Sequence, residues 1–87
     1  SELEDGERFV RLTSRVLDLA SQSRRIRLHV APSRLGHASA LVSAAGKRPL
    51  QSDIEVMEDP ALGPDDCLLQ TESGVVDGRL PIRLQCI

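Results

Sequence analysis

Few side chains in this sequence could do chemistry: Cys67 and Cys86, His29 and His37, and the Asp65-Asp66 pair. A thiol and an imidazole can come together from distant positions, so Cys67 with either histidine would define a small thiol enzyme. Such a nucleophile needs a lowered thiol pKa. Cys67 instead opens an apolar run directly after a turn, where a small buried residue suffices. Neither histidine has a Cys or His within four residues, unlike the paired ligands of metal sites. Asp65 and Asp66 sit among turn residues, where aspartates commonly bond their own backbone. Gly63 and Gly74 are isolated and build no phosphate loop. The residues therefore predict no catalytic group, no metal site and no cofactor, and a non-catalytic interaction domain.

Composition narrows the class further. The chain has 87 residues, one Phe, and no Tyr or Trp, so Leu, Ile, Val and Ala must fill the core. A domain this small buries only roughly 60–65% of its unfolded surface. Association, or a longer parent chain, is the expected source of added stability, and Ser1 in place of Met fits a fragment. The formal net charge is −2 with both signs interspersed, which argues against a nucleic-acid binder with its basic stripe. Arg24, Arg25 and Arg27 form the one basic cluster and read as a helix end and the polar face of a strand. Two cysteines make no disulfide framework and read as reduced, in a cytosolic protein. No apolar core of a signal peptide follows a basic start. No apolar run approaches the roughly 20 residues that span a bilayer, so no membrane insertion is expected.

These residues must be positioned by a small set of elements. Residues 1–6 are acidic and read as a linker or the frayed end of an upstream helix, with a globular domain over 7–87. Phe9, Leu12, Val16 and Leu19 recur at helical spacing and predict a helix from Glu7 to Gln22. Ile26, Leu28 and Val30 alternate with Arg25, Arg27 and His29, predicting a half-buried strand. Pro32 should end it and Ser33 should cap a second helix carrying Leu35, Ala38, Leu41 and Val42. That helix should stop at Gly46, followed by a loop over 47–52. Ile54–Glu58 reads as a second strand and Cys67–Glu72 as a third. Strands one and two should be parallel through the helix, and strands two and three should pair as a hairpin. Arg25, Arg27, Glu55 and Glu72 should share the polar sheet face, where opposite charges contribute roughly 0.2–1 kcal/mol each.

The stretch from Asp59 to Asp77 is the densest in backbone signals. Asp59-Pro60 favours turn initiation, and Gly63-Pro64 is a strong breaker. Gly74 closes the third strand, and Asp77 is a possible helix cap. Gly63 and Gly74 are candidates for positive φ. In the tail, Leu80, Ile82 and Leu84 alternate like a strand, while Leu80, Leu84 and Ile87 fit a helical stripe. That stripe either covers an amphipathic partner or packs on the sheet. The predicted class is α/β (α+β): a three-stranded mixed sheet with packed helices, in the order helix, strand, helix, strand, strand, tail.

The run from Ile54 through Asp59-Pro60-Ala61-Leu62-Gly63 to Cys67, followed by Gly74-Val75-Val76-Asp77, resembles the C-terminal domain of the FliH/HrpE/YscL family. Arg27-Leu28-His29-Val30-Ala31-Pro32 is similar to that family's strand ending near a proline. The chain departs from the pattern at Gly78, Arg79, Pro81 and Arg83-Leu84, where the family continues as a helix. The resemblance implies a non-catalytic stator and regulator of a flagellar or virulence-associated type III secretion apparatus. It implies binding to the N-terminal region of the export ATPase, a link to the cytoplasmic sorting platform through a region upstream of this chain, and a homodimer built on an upstream coiled coil. It also implies a cytoplasmic place beside the inner membrane. Leu80, Leu84 and Ile87 are the candidate partner contacts. Asp59, Pro60, Gly63, Gly74 and Asp77 are the candidate structural turn residues. A peripheral-stalk domain of a rotary ATPase shares the implied architecture and is the alternative.

Overall fold

The computed structural model describes residues 2–45 and 53–78. Helix α1 spans Glu2–Leu19, strand β1 Arg25–Val30, and a 3-10 turn Pro32–Arg34 leads into helix α2, Leu35–Ala45. Strands β2, β3 and β4 span Asp53–Glu58, Cys67–Thr71 and Gly74–Asp77. The four strands form one sheet in the order β2-β1-β3-β4. The class is thus the mixed α/β one expected, with a fourth strand added.

Alternation in β1 sets the layers. Ile26, Leu28 and Val30 point into the core, and Arg25 and Arg27 point out. Registers Leu28↔Val56 and Leu28↔Leu69 place Ile54 and Val56 of β2, and Cys67 and Leu69 of β3, on the same inner face. There they meet Phe9, Val16, Leu17 and Ala20 of α1 and Ala38 of α2. Each buried aliphatic side chain contributes about 1.5–3 kcal/mol relative to exposure. α1 lies against β3 and α2 against β2, so both helices cover one face. Phe9 is fully buried, with the His37 ring edge-on at 6.2 Å and the Arg34 guanidinium 6.0 Å from its centroid.

Several expectations change. Residues 2–6 are helical and continuous with the rest of α1; acidic residues suit a helix N-terminus. Ser33 is not a cap. It lies inside the 3-10 turn opened by Pro32, whose cap position is Ala31 without a side-chain hydrogen bond. β1 and β2 are parallel as expected, but β2 and β3 are not neighbours. The Asp59 amide bonds the Val30 carbonyl (2.8 Å), which hooks the connector across the end of β1. The chain therefore returns on the far side of β1, and β3 pairs antiparallel with β1 instead. The fourth strand went unrecognised because Gly74 reads as a terminator and Asp77 as a helix cap. Asp77 in fact lies in β4, in register with Leu68. Gly46, the loop 47–52 and the tail 79–87, including Cys86, lie outside the described residues.

Two glycines have defined tasks. Gly74 follows the two-residue Glu72–Ser73 turn at φ 144° and is the one described glycine with positive φ. Gly63 is not; its amide donates to Asp66 Oδ2 (3.1 Å), and a Cβ there would stand 3.0 Å from that oxygen. Gly78 prolongs the β3–β4 ladder by donating to the Cys67 carbonyl (2.8 Å). A Cβ on Gly78 would lie 2.6 Å from Cys67 Sγ and 2.9 Å from the Cys67 carbonyl oxygen. Backbone cannot yield as a flexible side chain can, so overpacking here costs about 1–3 kcal/mol. The prediction is that Gly78→Ala lowers the urea midpoint by that equivalent with an unchanged m-value. An unaltered midpoint would show that β4 does not close on Cys67 in this way.

Candidate functional site: the helix-free face of the sheet

The side of the sheet opposite the helices is built by the other half of each alternation. Parity and register put Asp53, Glu55 and Met57 of β2, Arg25, Arg27 and His29 of β1, Leu68 and Gln70 of β3, and Val75 and Asp77 of β4 on this face. An open groove of about 790 Å³ lies at one end of it, bordered by Arg25, Arg27, Asp53, Glu55, Gln70 and Glu72. Arg27 Nε stands 3.3 Å from Glu55 Oε1, directly across the parallel pair. This ion pair is exposed, so it contributes little to stability. His29 Nε2 donates to Gln70 Oε1 (2.8 Å). Apolar side chains share the face: Met57, 37% exposed, and half-buried Leu68 stand on either side of His29, and Val75, 59% exposed, stands beside Gln70.

Glu72 differs from its expected place. It is in the β3–β4 turn rather than on the sheet face, and its carboxylate accepts from the amides of Arg24 (3.0 Å) and Arg25 (3.2 Å). The hairpin tip is thereby tied to the start of β1. These bonds, led by the Arg24 amide and joined by Glu72's own amide and that of Arg25, hold its pKa below the ordinary 4.5.

The other candidates lie elsewhere. Asp59 Oδ1 accepts from the Ala61 amide (2.9 Å), and the Asp59 carbonyl accepts from Leu62 (3.1 Å), a turn that seats buried Leu62. Pro60 is within this turn. Arg34 Nε donates to the Pro64 carbonyl (2.8 Å), fastening the connector to α2's entry turn. Asp65 pairs loosely with Arg8 at 3.7 Å. Leu80, Leu84 and Ile87 lie outside the described residues. Gln70 and Val75, both part of the open face, were missed by the sequence reading. The signal was there in Val75-Val76, a β-branched pair directly after Glu72-Ser73-Gly74, which is hairpin grammar.

The thiol reading loses its partner by parity. Cys67 points to the helix side and His29 to the open side. Cys67 is fully buried, and burial pushes its thiol pKa up. The Thr13 hydroxyl leans on the sulfur and pulls the other way, but it holds no proper hydrogen-bond geometry, and burial is the larger effect. His37 packs on Phe9. Among the described residues no group of three His, Cys, Asp or Glu could hold a metal ion.

Two outcomes follow from these placements. Because Glu72 is held below its ordinary value, its carboxylate favours the fold above the unfolded pKa, and that contribution is lost as pH falls through the lower folded one. Thermal scans from pH 6 downward should show the wild type losing midpoint below about pH 4.5, with Glu72→Gln flatter over the same window; identical profiles would remove the latch. In a Cys86→Ser background, Cys67 should react with a thiol reagent only in denaturant. Rapid labelling of the folded protein at pH 7 would contradict its burial.

No curated protein and no solved structure matches the chain. A family model described as flagellar assembly protein FliH matches residues 3–87. That match runs through every described element from α1 to β4 and includes the turn grammar between Asp59 and Asp77, and on this basis the chain belongs to the FliH family.

Proposed function

We propose that this domain is a non-catalytic stator element of a flagellar or type III export apparatus, and that it binds the N-terminal region of the export ATPase. The observation that carries this reading is the FliH match across residues 3–87. The role includes restraint of the ATPase and a link to the cytoplasmic sorting platform through a region outside this chain. It places the protein in the cytoplasm beside the inner membrane, as a homodimer in its full-length form. No helix of the described residues is long and apolar enough to cross a membrane. A shaped scaffold rather than a reactive cleft is what such a task requires.

The helix-free sheet face is the surface we assign to the ATPase segment. Charged side chains with Met57 and Leu68 on either side of His29, and Val75 beside Gln70, suit an amphipathic segment that meets both apolar and polar side chains. The buried thiol of Cys67 gives no support to an enzymatic alternative.

Capture of the ATPase N-terminal segment by the immobilised domain tests the proposal. Binding is expected, and Val75→Glu, in a protein with an unchanged far-UV spectrum, should weaken it by about tenfold, roughly 1.4 kcal/mol. A folded domain that captures no ATPase overturns the function. Undiminished capture by the variant moves the contact off this face.

A further inference from the structure

We propose that the outer edge of β2 takes an added strand from another protein, an extended segment in which apolar residues alternate with lysine or arginine. This docking site lies on a rim of the sheet and does not rest on the export reading.

The backbone sets the site. The amides of Asp53 and Asp59 donate to the carbonyls of Arg24 and Val30 (both 2.8 Å), at the two ends of the β1–β2 ladder. In a parallel pair, alternate residues of a strand bond the same neighbour. Asp53, Glu55 and Met57 therefore turn their amides and carbonyls to β1. Ile54, Val56 and Glu58 turn theirs outward, where β2 is an end strand of the sheet among the described residues. Such a row of unpaired donors and acceptors is a template for one more strand.

An apolar ledge runs along the same rim on the helix side. Ile54 and Val56 are half-buried, whereas Ile26 and Leu28 beside them on β1 are buried. The helix above β2 is α2. Its His37 meets Phe9 and Gly6 of α1, so that flank looks inward along the layer. At about 3.6 residues per turn, Leu35 and Val42 share the opposite flank, and both are half-buried. Leu35 and Val42 above, with Ile54 and Val56 below, form the ledge. A strand laid about 4.8 Å beyond β2 would set every second side chain onto it.

Charge selects the other half of the segment. Its remaining side chains would stand on the helix-free side, beside exposed Asp53 and Glu55. Arg25 and Arg27 lie across from these two on β1. A basic residue on the added strand would thus place each carboxylate between two cations, and opposite charges on neighbouring strands are favourable. A second copy of this chain does not supply the cation. Its end strands would be β2 and β4, and neither contains Lys or Arg.

Amide hydrogen exchange on the intact chain without ATPase is the test, so its failure and that of ATPase capture are separate results. The probe is a blocked peptide of three Val-Lys repeats. In the free protein the amides of Glu55 and Met57 should be protected, and those of Ile54, Val56 and Glu58 should exchange rapidly. With the probe at about 1 mM, enough to half-fill a millimolar site, protection should extend to Ile54, Val56 and Glu58. Glu55→Gln is expected to weaken the probe by about threefold. Glu58→Pro removes an outward amide and spares the ladder to β1; it should weaken the probe by about tenfold. A Val-Glu peptide of equal length should protect nothing. The inference is overturned if the Val-Lys probe leaves Ile54, Val56 and Glu58 unprotected, or if the Val-Glu peptide protects them equally. Undiminished binding by Glu55→Gln overturns it as well. So does protection of these amides that rises with protein concentration in the absence of probe, which would mean that a second copy covers the edge.

Discussion

β1 is paired along both edges and buried on one side, and most of the architecture follows from that. Its three inward residues, Ile26, Leu28 and Val30, are almost wholly excluded from solvent. A strand in that position must satisfy its backbone on two edges, because an unpaired buried amide or carbonyl costs as much as a lost hydrogen bond. One edge is met by β2 in parallel, which requires a crossover, and α2 provides it. The other is met by β3, which can arrive only if the connector passes the end of β1. The Asp59–Val30 hydrogen bond, the Asp59 turn and the Arg34–Pro64 contact are the devices that carry it past. The turn-rich stretch is thus the hinge of the topology, although it holds no reactive group.

How much of this was legible depended on how local the signal was. The alternation from Arg25 to Val30 is written in adjacent residues, and it showed the strand and its buried side directly; with that of β2 it put Arg27 and Glu55 on a common polar face, where the register pairs them. The order of strands is not local. A connector that can close a hairpin can also cross a strand end, and only the non-local demand of β1 for a second partner decides between them. β4 was hidden for a related reason: Gly74 ends strands as often as it begins them, and its meaning depends on Glu72 being drawn away to Arg24 and Arg25. The importance of Gly78 could not be read at all, since only the approach of β4 to Cys67 makes a Cβ intolerable there.

The same separation of faces orders the functional reading. Parity in a strand is strict, so residues one step apart belong to different environments. That places Cys67 in a dry interior and half-buried His29 on the open side, and it leaves the outer face with a mixed, shallow, charged surface. Such a surface suits recognition of an extended or helical segment more than turnover of a small molecule. Membership of the FliH family and this division are mutually consistent: one side of the sheet is devoted to cohesion, and the other is the side proposed for contact.

The two rims of the sheet are unequal. β2 carries Asp53, Glu55 and Glu58, all exposed, whereas β4 is short and bears Val75 and Val76. Acidic side chains on a border strand discourage end-on stacking of one molecule against another, because carboxylates would confront carboxylates. On the β4 side the Glu72 tether holds the hairpin tip to the start of β1, so protonation of that single carboxylate loosens the rim that carries no such fence.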